Sequence, residues 1–395
     1  GGASSACGRF RILRPHRRGG LGEVFVARDL ELDREVALKQ ILCQRTDDDV
    51  QLVRFLREAE ITGKLEHPGV VPVYGLGQDE DGRPYYAMRF IRGRTLHEAL
   101  QEFHAADSSP RGPAERNKEF RRLLACFIDV CDALSYAHSR GVLHRDLKPG
   151  NIMLGRYGET LVVDWGLARV AGADETFGDG TDEVPVLANL SGSSTETVDG
   201  TAVGTPAYMS PEQAQGRLDL LTPATDVYGL GATLYSIITG KPPLSGKAVD
   251  VLAKVTSGAI PVAREVNPRV PIALESVCRK AMSLNHLDRY QTPHELAADV
   301  EAWLADEPVT AYPDRIQDRL RRWARRHHSA VTTCIAAVLI LAASASVAAG
   351  LLGRKNQQLE TAYEAIRDKN RQLSDSNRAT EAARQRASSV TDYLV

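Results

Sequence analysis

The chain has 395 residues, 43% of them hydrophobic, with a formal net charge of -2 and six cysteines. That length can bury a sizeable core in one large or two medium domains, while the near-neutral charge excludes nucleic-acid binding driven by a broadly basic surface. Cys7, Cys43, Cys126, Cys131, Cys278 and Cys334 lack the short paired spacings of a zinc site or a disulfide framework.

Residues 10–40 read as strands. Val24, Phe25 and Val26 form one run, and Val36, Ala37, Leu38 and Lys39 another, with polar residues 28–35 between them as a hairpin. Residues 47–64 carry Leu52, Phe55, Leu56 and Ala59 at helical spacing on an otherwise charged segment, which predicts an amphipathic helix ended by His67-Pro68. Strands near 70–74 and 85–91 complete a small, mostly antiparallel sheet, so this first part is β-rich.

Residues 104–117 are polar and carry Pro110 and Pro113, the marks of a loop insertion. From Phe120 the period turns helical, with Leu123, Leu124, Phe127, Val130, Cys131, Leu134 and His138 on one face and Gly141 as the stop. Residues 171–200 are rich in Gly, Ser, Thr, Asp and Glu and carry too little apolar surface to order themselves. Residues 226–239 are apolar nearly all round and end at Gly240 and Pro242-Pro243. Too short to span a bilayer, they are expected as a buried core helix.

Residues 331–352 contain no charged side chain. At about 1.5 Å per residue a helix of that length crosses a hydrocarbon layer of roughly 30 Å, so a transmembrane helix is expected. Its position excludes a signal peptide. Arg321, Arg322, Arg325 and Arg326 precede it and Arg354 and Lys355 follow, a modest bias that puts the preceding side in the cytoplasm. Beyond it, Leu352, Leu359, Ile366 and Leu373 recur at sevens, with Asn356, Tyr363, Asn370 and Asn377 four residues after each. That seam suits a parallel coiled-coil homodimer, and equally a single polar helix leading onwards. The start at Gly1-Gly2 and the stop at Val395 inside a helical pattern lead us to expect a piece of something longer.

The chemistry concentrates in His144-Arg145-Asp146-Leu147-Lys148-Pro149-Gly150-Asn151, followed by Asp164-Trp165-Gly166. Transfer of a γ-phosphoryl group needs a carboxylate to receive a hydroxyl proton and divalent ions to neutralise charge on the phosphate oxygens. Asp146, Asn151 and Asp164 suit those tasks. The run is similar to the catalytic and magnesium loops of Hanks-type (eukaryotic-like) serine/threonine protein kinases.

The resemblance implies an α+β, bilobal kinase-like fold over residues 10–305, with a β-rich N-lobe (about 10–92) and a helical C-lobe (about 93–305). A basic juxtamembrane segment (306–328), the membrane helix (331–352) and a helical or coiled-coil segment (353–395) would follow. It implies ATP and Mg2+ as cofactors. Asp146 would be the base, Lys148 would steady the transferred phosphate, and Asn151 and Asp164 would hold metal. Lys39 would hold the α- and β-phosphates and pair with Glu58, for which Glu60 is the competitor on the same helix. Gly19, Gly20 and Gly22 would form the phosphate loop, although Arg17 stands where the family has its first glycine. Val24, Ala37, Met88 and Met153 would enclose the adenine, with Arg89 at the hinge.

Trp165 replaces the family's phenylalanine, and its larger volume bears on the balance of active and inactive states. Glu212 is expected to pair with Arg289, and Asp226 to hold the catalytic-loop backbone, both as structural groups. Ser191, Ser193, Ser194, Thr195, Thr197 and Thr201 are candidates for phosphorylation, with Arg145 as receiver of the phosphate. The function implied is a membrane-anchored serine/threonine kinase of the bacterial receptor type, single-pass with its catalytic domain cytoplasmic. It would phosphorylate proteins and itself. A pseudokinase scaffold, supported by Arg17 and Trp165, is the alternative, and an assembly module acting through the leucine seam is a third.

Overall fold

The computed structural model describes residues 6–18, 22–41, 49–105, 112–170, 206–313 and 327–392. The chain divides into two compact units, Gly1–Asp314 and Arg315–Val395.

The first unit opens with strands β1 (Ala6–Cys7), β2 (Phe10–Arg18), β3 (Gly22–Asp29) and β4 (Arg34–Ile41), helix α1 (Asp49–Lys64), and strands β5 (Val73–Gln78) and β6 (Pro84–Arg89). The strands form one antiparallel sheet in the order β1-β2-β3-β4-β6-β5. The two-residue period of β4 decides what each face holds. Val36 and Leu38 enter a core with Phe10, Ala27, Tyr85 and Ala87, while Ala37 and Lys39 face the opposite way, into the cleft beneath the sheet. Helix α1 packs Phe55 and Ala59 against Ile41 and Tyr86. The strand expected at 70–74 begins at Val73, and Val70 instead makes an isolated bridge with Val162.

Next come β7 (Gly93–Thr95), α2 (Leu96–Ala105), α3 (Pro113–Ser139), β8 (Val142–Leu143), β9 (Ile152–Gly155), β10 (Thr160–Val162) and β11 (Arg169–Val170). They are followed by α4 (Pro211–Ala214), α5 (Pro223–Thr239), α6 (Ala248–Ser257), α7 (Ala263–Val266), α8 (Ile272–Ala281) and α9 (Pro293–Leu304). Helix α5 is buried almost throughout and packs Val227, Leu230 and Leu234 among Phe127, Leu134, Leu274 and Val300, as its all-round apolar pattern demands. Pro223 opens it at a position where no N–H is needed, and Gly240 closes it at φ 79°, a left-handed turn.

The loop insertion expected over 104–117 is shorter than the sequence pattern suggested. Helix α2 runs through Ala105 and α3 starts at Pro113, so Pro113 is a helix-opening proline, and 106–111 lie outside the described residues. The segment 171–200 and the phosphorylation candidates within it, together with Thr201, also lie outside them.

The second unit contains helix α10 (His328–Asp392). Among the described residues this is the one helix long and apolar enough to cross a membrane, and none of its apolar stretch is buried within protein. Leu352, Leu359, Ile366 and Leu373 are all exposed along it.

Candidate active site

A cleft of about 440 Å³ is lined by Gly22, Val24, Ala37 and Met88 from the sheet, by Glu58 and Thr62 from α1, and by the 146–167 region. Its upper wall follows from strand pairing. Val24 lies opposite Lys39, and Ala37 opposite Met88, so their side chains share one face. Gly22 is needed where β3 meets β4, because a Cβ there would lie 2.6 Å from the Gln40 carbonyl oxygen. Arg17 sits in extended strand pairing with Val24, and its strand hydrogen-bonds on to Arg18 opposite Glu23. Gly19 and Gly20 lie outside the described residues.

The Lys39 ammonium donates to Glu58 Oε1 at 2.5 Å and approaches Asp164 Oδ1 at 3.4 Å. Glu60 instead pairs with Lys64 on the exposed side of α1. Tyr86, which the sequence reading passed over as a strand residue, donates its hydroxyl to the same Glu58 oxygen at 2.7 Å. Burial disfavours the charged Lys39, but the Glu58 and Asp164 carboxylates outweigh it and hold its pKa above the ordinary value. At Glu58 burial dominates and raises the carboxyl despite Lys39. Enclosure in the cleft pushes Asp164 upward, yet Lys39, Lys148 and His144 together hold it below the usual carboxylate range.

The lower wall is the loop between β8 and β9. Lys148 Nζ donates to Asp146 Oδ2 at 2.7 Å. The Asn151 amide nitrogen donates to the Asp146 carbonyl at 2.8 Å and to Asp146 Oδ2 at 3.1 Å. Asn151 Oδ1 is thereby the atom left to face a cation, in a cleft also lined by Asp164, whose side chain is 45% exposed. One carboxylate and one amide oxygen suit Mg2+, which takes its remaining ligands from phosphate and water. No cluster of three or more His, Cys, Asp or Glu able to hold a metal without such help occurs among the described residues.

The loop's backbone is held from below. Asp226 accepts from the His144 N–H and the Arg145 N–H, both at 2.8 Å, and His138 Nε2 lies 2.7 Å from its carboxylate. His138, read from the sequence only as part of an apolar helix face, is therefore a polar partner of the loop. Gln213 donates to the Arg145 carbonyl at 2.8 Å. These bonds hold Arg145 at φ 69°, and Asp164 adopts φ 67°. Both values are costly for residues other than glycine, and both sit beside the proposed chemistry. Trp165 is 1% exposed in the core of the helical lobe, its ring 4.6 Å from that of His144.

Val24, Ala37, Lys39, Glu58, Met88, Asp146, Lys148, Asn151, Met153 and Asp164 thus line one cavity, although Lys39 and Asp164, in contact within it, are 125 residues apart in sequence. Val71, Val163 and Leu167 line it too and were not singled out, since nothing in their local pattern separates them from core residues.

Residues 17–297 match the family model described as "Protein kinase domain". The chain is 37% identical over 302 residues to the serine/threonine-protein kinase PknD of Protochlamydia amoebophila, and 38% identical over 308 residues to PknD of Chlamydia felis. Those alignments take in 75% and 76% of this chain but only 30% and 31% of the relatives, so the chain spans about a third of their length. Among solved structures, the kinase domain of Mycobacterium tuberculosis PknI matches with a TM-score of 0.52 and 23% identity, over 76% of this chain and 99% of that one, a likeness of fold. The two-lobed architecture, the cleft between its lobes and the family match agree, and the chain belongs to the protein kinase family.

Proposed function

We propose that the chain is an ATP-dependent serine/threonine protein kinase, anchored by a single membrane span with its catalytic unit in the cytoplasm. The observation that carries this reading is the closed Lys39–Glu58 pair with Asp164 alongside, because phosphoryl transfer in this family requires both to be in place.

In this reading Lys39 holds the α- and β-phosphates, and Glu58 and Tyr86 hold Lys39. Asp146 orients the serine or threonine hydroxyl of a protein substrate and takes its proton. Lys148, already bonded to Asp146, places positive charge beside the transferred group. Asn151 Oδ1 and the Asp164 carboxylate would hold Mg2+, which when bound neutralises charge on the phosphate oxygens. Val24, Ala37, Met88 and Met153 enclose the base. Autophosphorylation of the segment before Thr205 and pairing of two copies through the seam after residue 352 belong to the same proposal. So does the absence of any nucleic-acid partner.

A nucleotide-binding pseudokinase is the rival. Of its two supports, Arg17 pairs with Val24 just after a register shift in the strand between Pro15 and Arg17, and Trp165 is buried in the core. The test is incubation of the full chain in detergent with labelled ATP and magnesium, beside Asp164→Asn. The parent labels serine or threonine and the variant does not. Equal labelling of both, or of neither, would overturn the reading.

A further inference from the structure

Beside the hinge, and outside the catalytic machinery, lies a second open groove of about 640 Å³ whose lining includes Arg14, Arg92, Arg94, Arg122 and Arg156. Glu35 is the sole carboxylate in that lining, and it is taken by Arg92 at 2.7 Å. Arg94 is satisfied by Glu102. Among the described residues no carboxylate lies within ion-pair distance of Arg14, Arg122 or Arg156. All three are exposed, so three guanidinium groups face one concavity with no counter-charge of their own. The electropositive field is felt locally. His16, on the groove's rim and 5.4 Å edge-on from Phe90, is held below its ordinary pKa by burial and by Arg14 and Arg17.

Such a groove fits an extended anionic segment, and planar guanidinium forks favour carboxylates in particular. The chain itself carries one. Between Gly172 and Asp199 its sequence has seven acidic residues (Asp174, Glu175, Asp179, Asp182, Glu183, Glu196 and Asp199) and no Lys or Arg. The hydroxyl run starting at Ser191 follows Glu183 after the uncharged stretch 184–190. At roughly 3.3 Å per extended residue, that spacer lets the hydroxyls stand some 25 Å from docked acids. The groove also shares His16, Phe90 and Ile91 with the nucleotide cleft, so a segment held there lies beside the hinge end of that cleft.

We propose that the arginine groove docks the acidic run 174–183 of a second copy of this chain, and so selects the chain's own hydroxyl-rich segment as a substrate. The selection rests on the kinase reading above, whereas the docking does not. A second copy is assigned as the donor because within one chain the run is tethered on both sides, at Val170, four residues before Asp174, and at Pro206. Docking within the chain would have to close a loop on each side of the acidic run at once.

The docking is tested by anisotropy of a labelled peptide of residues 172–200 added to the full chain in detergent, with the chain's own seven acids changed to amides so that they do not compete. Saturable binding that weakens about tenfold or more in Arg14→Glu/Arg122→Glu/Arg156→Glu, and weakens with salt, is expected. A peptide carrying Asp174→Lys, Glu175→Lys, Asp182→Lys and Glu183→Lys should bind that triple variant better than the natural peptide does, which guards against simple misfolding. Equal binding to both chains overturns the proposal. So does preference of the groove for anionic phospholipid vesicles that the peptide cannot displace, or a chain with its natural acids that blocks the peptide equally at every chain concentration, the sign of docking within one copy. Substrate selection is read by label transfer to an Asp164→Asn chain as acceptor, expected to fall when the active copy carries the triple variant. If no active copy labels anything, the kinase reading fails while the anisotropy still decides the docking.

Discussion

Arg289 grips Glu212 with both arms of its guanidinium, at 2.8 and 2.9 Å, across 77 residues of sequence in the interior of the helical lobe. The same guanidinium donates to the Ala224, Ser283 and Leu284 carbonyls, and Thr225 Oγ1 donates to Glu212, so neither charge is left short of partners. This pair ties the short helix α4, and with it the segment that follows the phosphorylation candidates, to the turn between α8 and α9, and through Ala224 and Thr225 to helix α5.

Removing one partner strands the other charge in a dry interior, so Arg289→Met should destabilise the first unit by roughly 3–5 kcal/mol in thermal or urea unfolding. Burial pushes the Glu212 carboxyl up, but Arg289 prevails and holds it below its ordinary 4.5. The pair's contribution is therefore complete above the unfolded-state value and disappears as pH falls through the lower folded one. Wild-type stability should rise with pH across the carboxylate range, and Glu212→Gln should rise less steeply. Parallel curves would remove the ion pair from the account.

Glu58→Gln keeps the shape of the side chain and removes the charge that holds Lys39. Loss of one charge-assisted hydrogen bond of about 2 kcal/mol, expressed at the transition state, lowers kcat/KM for ATP roughly thirtyfold. Glu60→Gln, on the solvent side of α1, should leave kcat/KM unchanged. Steady-state kinetics of the two variants side by side separates the carboxylates.

Gly22→Ala places a methyl group 2.6 Å from the backbone oxygen of Gln40, which no side-chain rotation relieves. The β3–β4 pairing must shift, at a cost of roughly 1–3 kcal/mol. Unfolding midpoints and ATP affinity should both fall.

Asp299 accepts from the Tyr290 hydroxyl at 2.6 Å, the Thr310 N–H at 2.7 Å, the Thr310 hydroxyl at 2.8 Å and the Ala311 N–H at 3.1 Å. It fastens the segment after α9 to the lobe. Asp299→Ala abandons those donors, costing roughly 1–3 kcal/mol. Faster amide exchange at Thr310 and Ala311, with the cleft amides unchanged, is the expected signature.

What was legible in the sequence is what local chemistry encodes. Asp146, Lys148 and Asn151 lie within six residues on one tight loop, so their residue types and spacing already pointed to the phosphoryl-transfer constellation proposed above. Helix α5 declared its burial through apolar residues on every side, and residues 36–39 read as a strand run ending at Lys39. The choice of Glu58 over Glu60 was harder, since both are acids on one charged helix. Rotation of α1 against Ile41 and Tyr86 turns one inward and leaves the other in water.

The contacts that close the site were decided by tertiary structure alone. Tyr86 on Glu58, His138 on Asp226 and Gln213 on the Arg145 carbonyl join positions 28 to 88 residues apart. A long-range hydrogen bond leaves no mark on the pattern around either partner. The same holds for the arginine groove, whose members come from β2, the hinge, β7, α3 and the turn after β9. Singly, each arginine reads as an ordinary solvated charge. Only packing brings them to one concavity, where Arg14, Arg122 and Arg156, with no carboxylate in ion-pair distance among the described residues, form a surface that attracts acids.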